Sequence, residues 1–165
     1  CYNLSKDGVC GRSVLVTKKL NLFSLKAGFN KVKIGSLSSE VISILKLNRP
    51  ECDIIFWEDR LKHIEKHVPD FDSLEDYYKH MELIPDIIES PDYVGLHPSA
   101  NSIEYFKRIN KVMLVAIRLR NDGNLSFRTA YPISEAKLQV YIESGTVFEV
   151  KKERGERRKN IDRNA

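Results

Sequence analysis

Two histidines, His63 and His67, stand four residues apart in the stretch Glu58-Asp-Arg-Leu-Lys-His-Ile-Glu-Lys-His-Val-Pro69. At about 100° per residue they share one helix face with Arg60, and Lys66 flanks them. A histidine gives or takes a proton near neutral pH, so such a pair does acid–base chemistry, binds a metal, or forms a solvated face. A zinc site needs further ligands, and His80 and His97 would have to converge from elsewhere. No metal or other cofactor is therefore expected. The other unusual residue is Arg118, a cation inside the apolar run Val112–Leu119.

The elements that must hold these residues follow from periodicity. Asp53–Trp57 is a short strand, and Trp57 is assigned to the core. The helix after it turns Leu61, Ile64 and Val68 inward and stops before Pro69, because a residue preceding proline avoids the helical region. His63 is preferred over His67 as the working histidine, since His67 beside Val68-Pro69 is placed to cap the last carbonyls. Upstream, Val14–Thr17 and Lys31–Ile34 are short strands. Ser36 caps a helix that buries Leu37, Val41, Ile44 and Leu45. Downstream, Ser73 and Asp76 form a capping box for a helix with Leu74, Tyr77, Tyr78, Met81, Ile84 and Ile88 on one side. Pro85 breaks that helix near Leu83 and restarts it.

From Tyr93 the period is two. Tyr93–His97, Ile103–Ile109, Lys111–Arg120 and Leu125–Tyr131 are strands, the last ended by Pro132, and Ser134 caps a final helix to Glu143. The turn Asn121-Asp-Gly-Asn124 sets Arg120 opposite Leu125, Arg118 opposite Phe127, Ala116 opposite Thr129 and Leu114 opposite Tyr131. One face then presents Arg118, Thr129 and Tyr131. The other carries Met113, Val115, Ile117 and Leu119 and makes the better core. A one-residue bulge would bring up Arg128 instead. Helices first and an antiparallel meander after them make an α+β protein.

Composition narrows the function. Residues 151–165 hold seven Lys or Arg against three Asp or Glu, which accounts for the whole net charge of +4. The rest of the chain balances, so any nucleic-acid contact comes from a local patch or from this basic, disordered tail. No apolar run reaches the roughly 20 residues that cross a bilayer. The first residue, Cys1, suggests a processed or excised chain. Cys1, Cys10 and Cys52 are odd in number, lack metal spacing, and are expected as thiols.

Taken in order, these segments resemble a known family. They are the strand, the helix with His63-Ile-Glu-Lys-His67, the proline-broken helix ending Ile87-Ile-Glu-Ser-Pro-Asp92, Ser102-Ile-Glu-Tyr-Phe-Lys107, the long strand, and the hairpin into Arg128-Thr-Ala-Tyr-Pro132. The set resembles the phage-associated barnase–EndoU–colicin E5/D–RelE-like (BECR-fold) nucleases over roughly Lys31 to Tyr141. The resemblance implies N-terminal helices packed on a four- to five-stranded antiparallel sheet whose open face binds RNA. It divides the chain into an unassigned extension (1–30), a nuclease domain (31–150) and the tail (151–165). It implies a metal-independent endoribonuclease of toxin or effector type, with tRNA a candidate substrate, in a bacterial or phage-delivered cytoplasmic setting. An immunity or antitoxin protein is the partner it implies. Carried over by position, His63, His67, Lys107, Arg118 and Thr129 are the catalytic candidates. Lys66, Arg120, Arg128, Tyr131 and Tyr105 are the substrate-binding candidates. The alternative is an inactive member that keeps the fold as a binding module, which the balanced body charge favours. A DNA nuclease ranks last, because no carboxylate cluster for a metal is evident.

Overall fold

The computed structural model describes residues 30–152. In chain order it contains β1 (Lys31–Leu37), α1 (Ser39–Leu45), β2 (Cys52–Trp57), α2 (Arg60–Glu65), a 3-10 turn (Val68–Asp70), α3 (Leu74–Glu82) and α4 (Ile84–Glu89). Then follow β3 (Tyr93–Leu96), β4 (Ser102–Arg108), β5 (Val112–Leu119), β6 (Leu125–Ile133), α5 (Glu135–Glu143) and β7 (Val147–Glu149). The expected strand at Val14–Thr17, most of the 1–30 extension and the tail beyond Lys152 lie outside the described residues.

The α+β class holds, but the sheet is larger than expected. Seven strands lie in the order β1-β2-β6-β5-β4-β3-β7. All neighbours are antiparallel except β2 and β6, which run parallel. The helices are also interleaved with strands rather than gathered before them. Two features hid this. The three residues of β7 are too few to show alternation, and the β2–β6 pairing is a long-range contact with no local signature.

Both faces of the sheet are covered, one fully and one in part. Met113, Val115 and Ile117 of β5 join Tyr105, Phe127 and Ala130 in the main core, together with Ile64, Met81, Ile84 and Ile88 from the helices. On the opposite face Leu114, Ala116 and Val112 join Phe106, Val147 and Leu138 of α5 in a second, smaller core. This explains why β5 is a nearly unbroken apolar run: it is buried on both sides. Arg118, at the β5 end beyond α5, is exposed. We call the α5 side the outer face.

Several local expectations are corrected. Ser38, not Ser36, caps α1, accepting from the Val41 N–H at 3.3 Å, and Ser36 and Leu37 finish β1. Ser73 caps α3 as expected, but the Asp76 carboxylate accepts from the Asp72 N–H, one residue further out. Leu74 on α3 is 54% exposed rather than buried. Leu83 does divide α3 from α4, with Pro85 in the first turn of α4. Strand β6 runs through Pro132 to Ile133. Pro132 lies opposite Met113 of β5, beyond the last residue with a β2 partner, where one edge of the strand is free of ladder pairing.

Gly95 of β3 marks where the sheet tolerates no side chain. A Cβ there would meet the Thr146 carbonyl oxygen at 2.6 Å and Val147 Cγ2 at 2.9 Å. Gly95→Ala is expected to push β7 outward and destabilise the fold by about 1–3 kcal/mol, measured by thermal or urea unfolding.

Candidate active site

The site is built where β6 changes neighbours. It pairs with β2 at only two positions, Ile54 with Leu125 and Ile55 with Ser126. Beyond them its edge lies against α2. Ile64 turns into the main core with 0% exposure and pins the helix there. The helix ends at Glu65, sooner than the His63–Pro69 pattern suggested, and the chain tightens into the 3-10 turn. Residues three apart eclipse in such a turn. His67 and Asp70 therefore meet, with Nδ1 2.8 Å from the Asp70 carboxylate.

That contact orients the imidazole. A carboxylate only accepts, so Nδ1 carries the proton in the neutral ring and Nε2 keeps its lone pair. Nε2 lies 3.4 Å from Thr129 Oγ on the outer face. The ring also stacks on Tyr131, with centroids 5.1 Å apart. His67 is thus held from three sides and does not cap the helix. Of the pair His63 and His67, it is His67 whose ring contacts Thr129 and Tyr131 of β6.

The hairpin register explains the rest. Ala116 faces Thr129 and Leu114 faces Tyr131, as expected, but the register shifts between Ala116 and Ile117. Nearer the turn Ile117 faces Phe127, Arg118 faces Ser126 and Leu119 faces Leu125, leaving a five-residue connection. Arg128 is the extra, bulged residue. The bulge turns Phe127 into the main core, where it stacks on Phe56 at 4.7 Å. Arg128 swings to the outer face and donates from Nη1 to Ser102 Oγ at 3.0 Å and Asn101 Oδ1 at 3.3 Å. Its Nε and Nη2 have no partner among the described residues.

Across the outer face runs a row of small residues with one exception. Thr129, Ala116, Glu104 and Gly95 face one another on β6, β5, β4 and β3. Thr129 and Glu104 flank Ala116, which puts their backbones two strand spacings apart, roughly 9–10 Å. Burial raises the Glu104 carboxyl above its ordinary value, against the lowering pull of His97, Lys137 and Arg128. Glu104 was not among the nominated residues. Its signal was present: a carboxylate between Ile103 and Tyr105, in a strand otherwise rich in apolar residues, needs a reason to be there.

The other nominees divide. Arg118 and Arg120 line an open groove of about 630 Å³ beside Arg128. Arg120 also pairs with Asp122 at 3.3 Å. Lys66 is exposed at the end of α2 near His63. Lys107 and Tyr105 are corrections. Both alternate to the main-core face. Lys107 donates to the Ser90 carbonyl at 2.7 Å and pairs with Asp86 at 3.4 Å. Tyr105 is 0% exposed and cannot stack on a base. Among the described residues no three histidine, cysteine or carboxylate groups converge on a metal-sized site. No helix there is long and apolar enough to cross a membrane.

His63 is half-buried in this basic surround. Desolvation first, then the charges of Lys66, Arg60, His67 and Arg128, lower its pKa. The folded state therefore binds fewer protons than the unfolded chain just below the ordinary histidine value, and this increment of stability is lost as pH falls through that range. Lys66→Gln should move the His63 pKa back upward, read from the imidazole Hε1 shift in an NMR titration.

Comparison with known proteins supports the order of elements. The family model described as phage-Barnase-EndoU-ColicinE5/D-RelE like nuclease 3 matches residues 32–140. Comparisons with curated proteins and with solved structures return no match.

Proposed function

Because the chain belongs to this phage-associated BECR-type nuclease family, we propose that it is a metal-independent endoribonuclease. The observation that carries the proposal is the outer-face row: oriented His67 over Thr129 at one end, half-buried Glu104 at the other, and Arg128 beside them. This set matches what phosphodiester transfer within RNA requires.

RNA brings its own nucleophile, the 2′-hydroxyl. A base removes its proton, the oxygen attacks the adjacent phosphorus, and the bond to the 5′-oxygen breaks as an acid protonates that oxygen. The products are a 2′,3′-cyclic phosphate and a 5′-hydroxyl. Glu104, its carboxylate destabilised by burial, suits the base. His67 suits the acid by position, because the Asp70 contact at Nδ1 leaves Nε2 facing Thr129 on the outer face. The free Nε and Nη2 of Arg128 suit the doubly charged phosphorane oxygens, which a guanidinium binds as a fork. The Thr129 hydroxyl supplies a further donor. His63 lies near His67 and Arg128, and Arg118 lines the adjoining groove. The resemblance to toxin domains adds tRNA as a candidate substrate and, as partner, an inhibitor protein that covers this face.

The test is cleavage of total RNA in EDTA, with the ends analysed for 2′,3′-cyclic phosphate. His67→Ala and Glu104→Gln should each lower the rate about 10²–10⁴-fold with the fold intact, and His63→Ala distinctly less. RNA binding without any cleavage by the wild-type protein would instead identify a binding module.

A further inference from the structure

Trp57 is out of place for a core residue. It ends β2, where alternation sends Ile54 and Phe56 inward at 0% exposure and turns Trp57 out, 37% exposed. It was assigned to the core from sequence; the strand parity explains the difference. The Lys31 ammonium lies 5.3 Å from the ring centroid and covers part of the indole. The rest of the ring borders the groove that Arg118, Arg120 and Arg128 line. The exposed third of this large aromatic has no apolar cover, so it is available to an incoming apolar face.

We propose that this groove is a subsite for an unpaired RNA base, with Trp57 as its stacking platform and Arg118 as a phosphate ligand. The proposal rests on the ribonuclease reading above for the kind of ligand. Arg128 belongs to both the groove and the catalytic row, so a strand lying in one continues into the other. Among the described residues the Arg118 guanidinium has no partner, whereas Arg60 is paired with Asp59 and Arg120 with Asp122. An aromatic face beside unpaired positive charge is the combination that binds single-stranded nucleic acid. Glu58 and Asp59 share the groove. They disfavour a second phosphate there and accept from the N–H groups of a base edge. A base within a duplex has both faces stacked and its pairing edge occupied, so only a splayed-out base fits.

Trp57 is the single tryptophan of the chain, which makes the test direct. The probe is a short fluorescein-labelled 2′-O-methyl RNA, which lacks the nucleophile and cannot be cut. The strand alone should quench Trp57 fluorescence, and the same strand annealed to its complement should not. By anisotropy, Trp57→Ala should weaken binding about 5- to 150-fold and Trp57→Phe much less, with unchanged thermal melts. Bound strand without quenching, undiminished binding by Trp57→Ala, equal duplex binding, or no binding would each overturn the subsite. Should Trp57→Ala fail to fold, the wild-type quench decides alone. Quenching without cleavage refutes only the nuclease reading. Cleavage with an unchanged KM in Trp57→Ala refutes only the subsite.

Discussion

Strand β6 has a neighbour on one side for only its first two residues, and most of the site follows from how its remaining edge is closed. An open strand edge exposes unpaired N–H and C=O groups and invites unwanted pairing. Here α2 lies against it. The helix cannot complete the ladder, but it brings side chains where a strand would bring backbone. Ile64 of α2 goes to the main core, and His67, just past the helix end, to the outer face. The same short β2–β6 pairing sets Trp57 at the mouth of the arginine groove. One abbreviated strand pair thus places a histidine, an arginine bulge and an indole around one stretch of sheet.

The second constraint is that the outer face is only half covered. Leu138 of α5 packs with Leu114, Phe106 and Val147, whereas Glu104 is partly exposed and Arg118 exposed. Where it packs, the sheet is a second core. Glu104 lies partly exposed at the margin of that core, between Ala116 and Gly95 in the cross-strand row, and Thr146 and Val147 fill the space over Gly95. Burial enough to destabilise the carboxylate and exposure enough to admit a ligand meet at that boundary.

What could be read from the sequence divides by range. The capping serines Ser73 and Ser134, the break at Leu83 and the β5–β6 pairing from Ala116 downward depend on neighbours a few residues away, and they were legible. Ser36 lost to Ser38 because two serines in one turn compete and only the strand register of β1 decides between them. The bulge at Arg128 was visible as a possibility and not as a fact, since the preference of Phe127 for the core beside Phe56 is a tertiary matter. Lys107 and Tyr105 were carried over by position, yet strand parity sends both to the main-core face. Glu104, in the same strand and of opposite parity, was overlooked. His67 ranked behind His63 from sequence because a straight helix to Pro69 would place it to cap the last carbonyls, whereas the 3-10 turn sets Asp70 beside its ring.

Ile64 in α2 and His67 just past the helix end join the hydrophobic core to the candidate catalytic face through less than one turn of backbone. Ile64 and His67 are three residues apart, so a displacement of one is a displacement of the other. On the role proposed for His67, repacking around Ile64, Phe127 or Phe56 need not unfold the domain to slow it; a shift of the imidazole by about 1 Å is enough to cost about 100-fold. Core substitutions in this region should therefore be filtered by selection as losses of turnover before they register as losses of stability. Drift in the interior of such a domain is then limited by geometry at its surface.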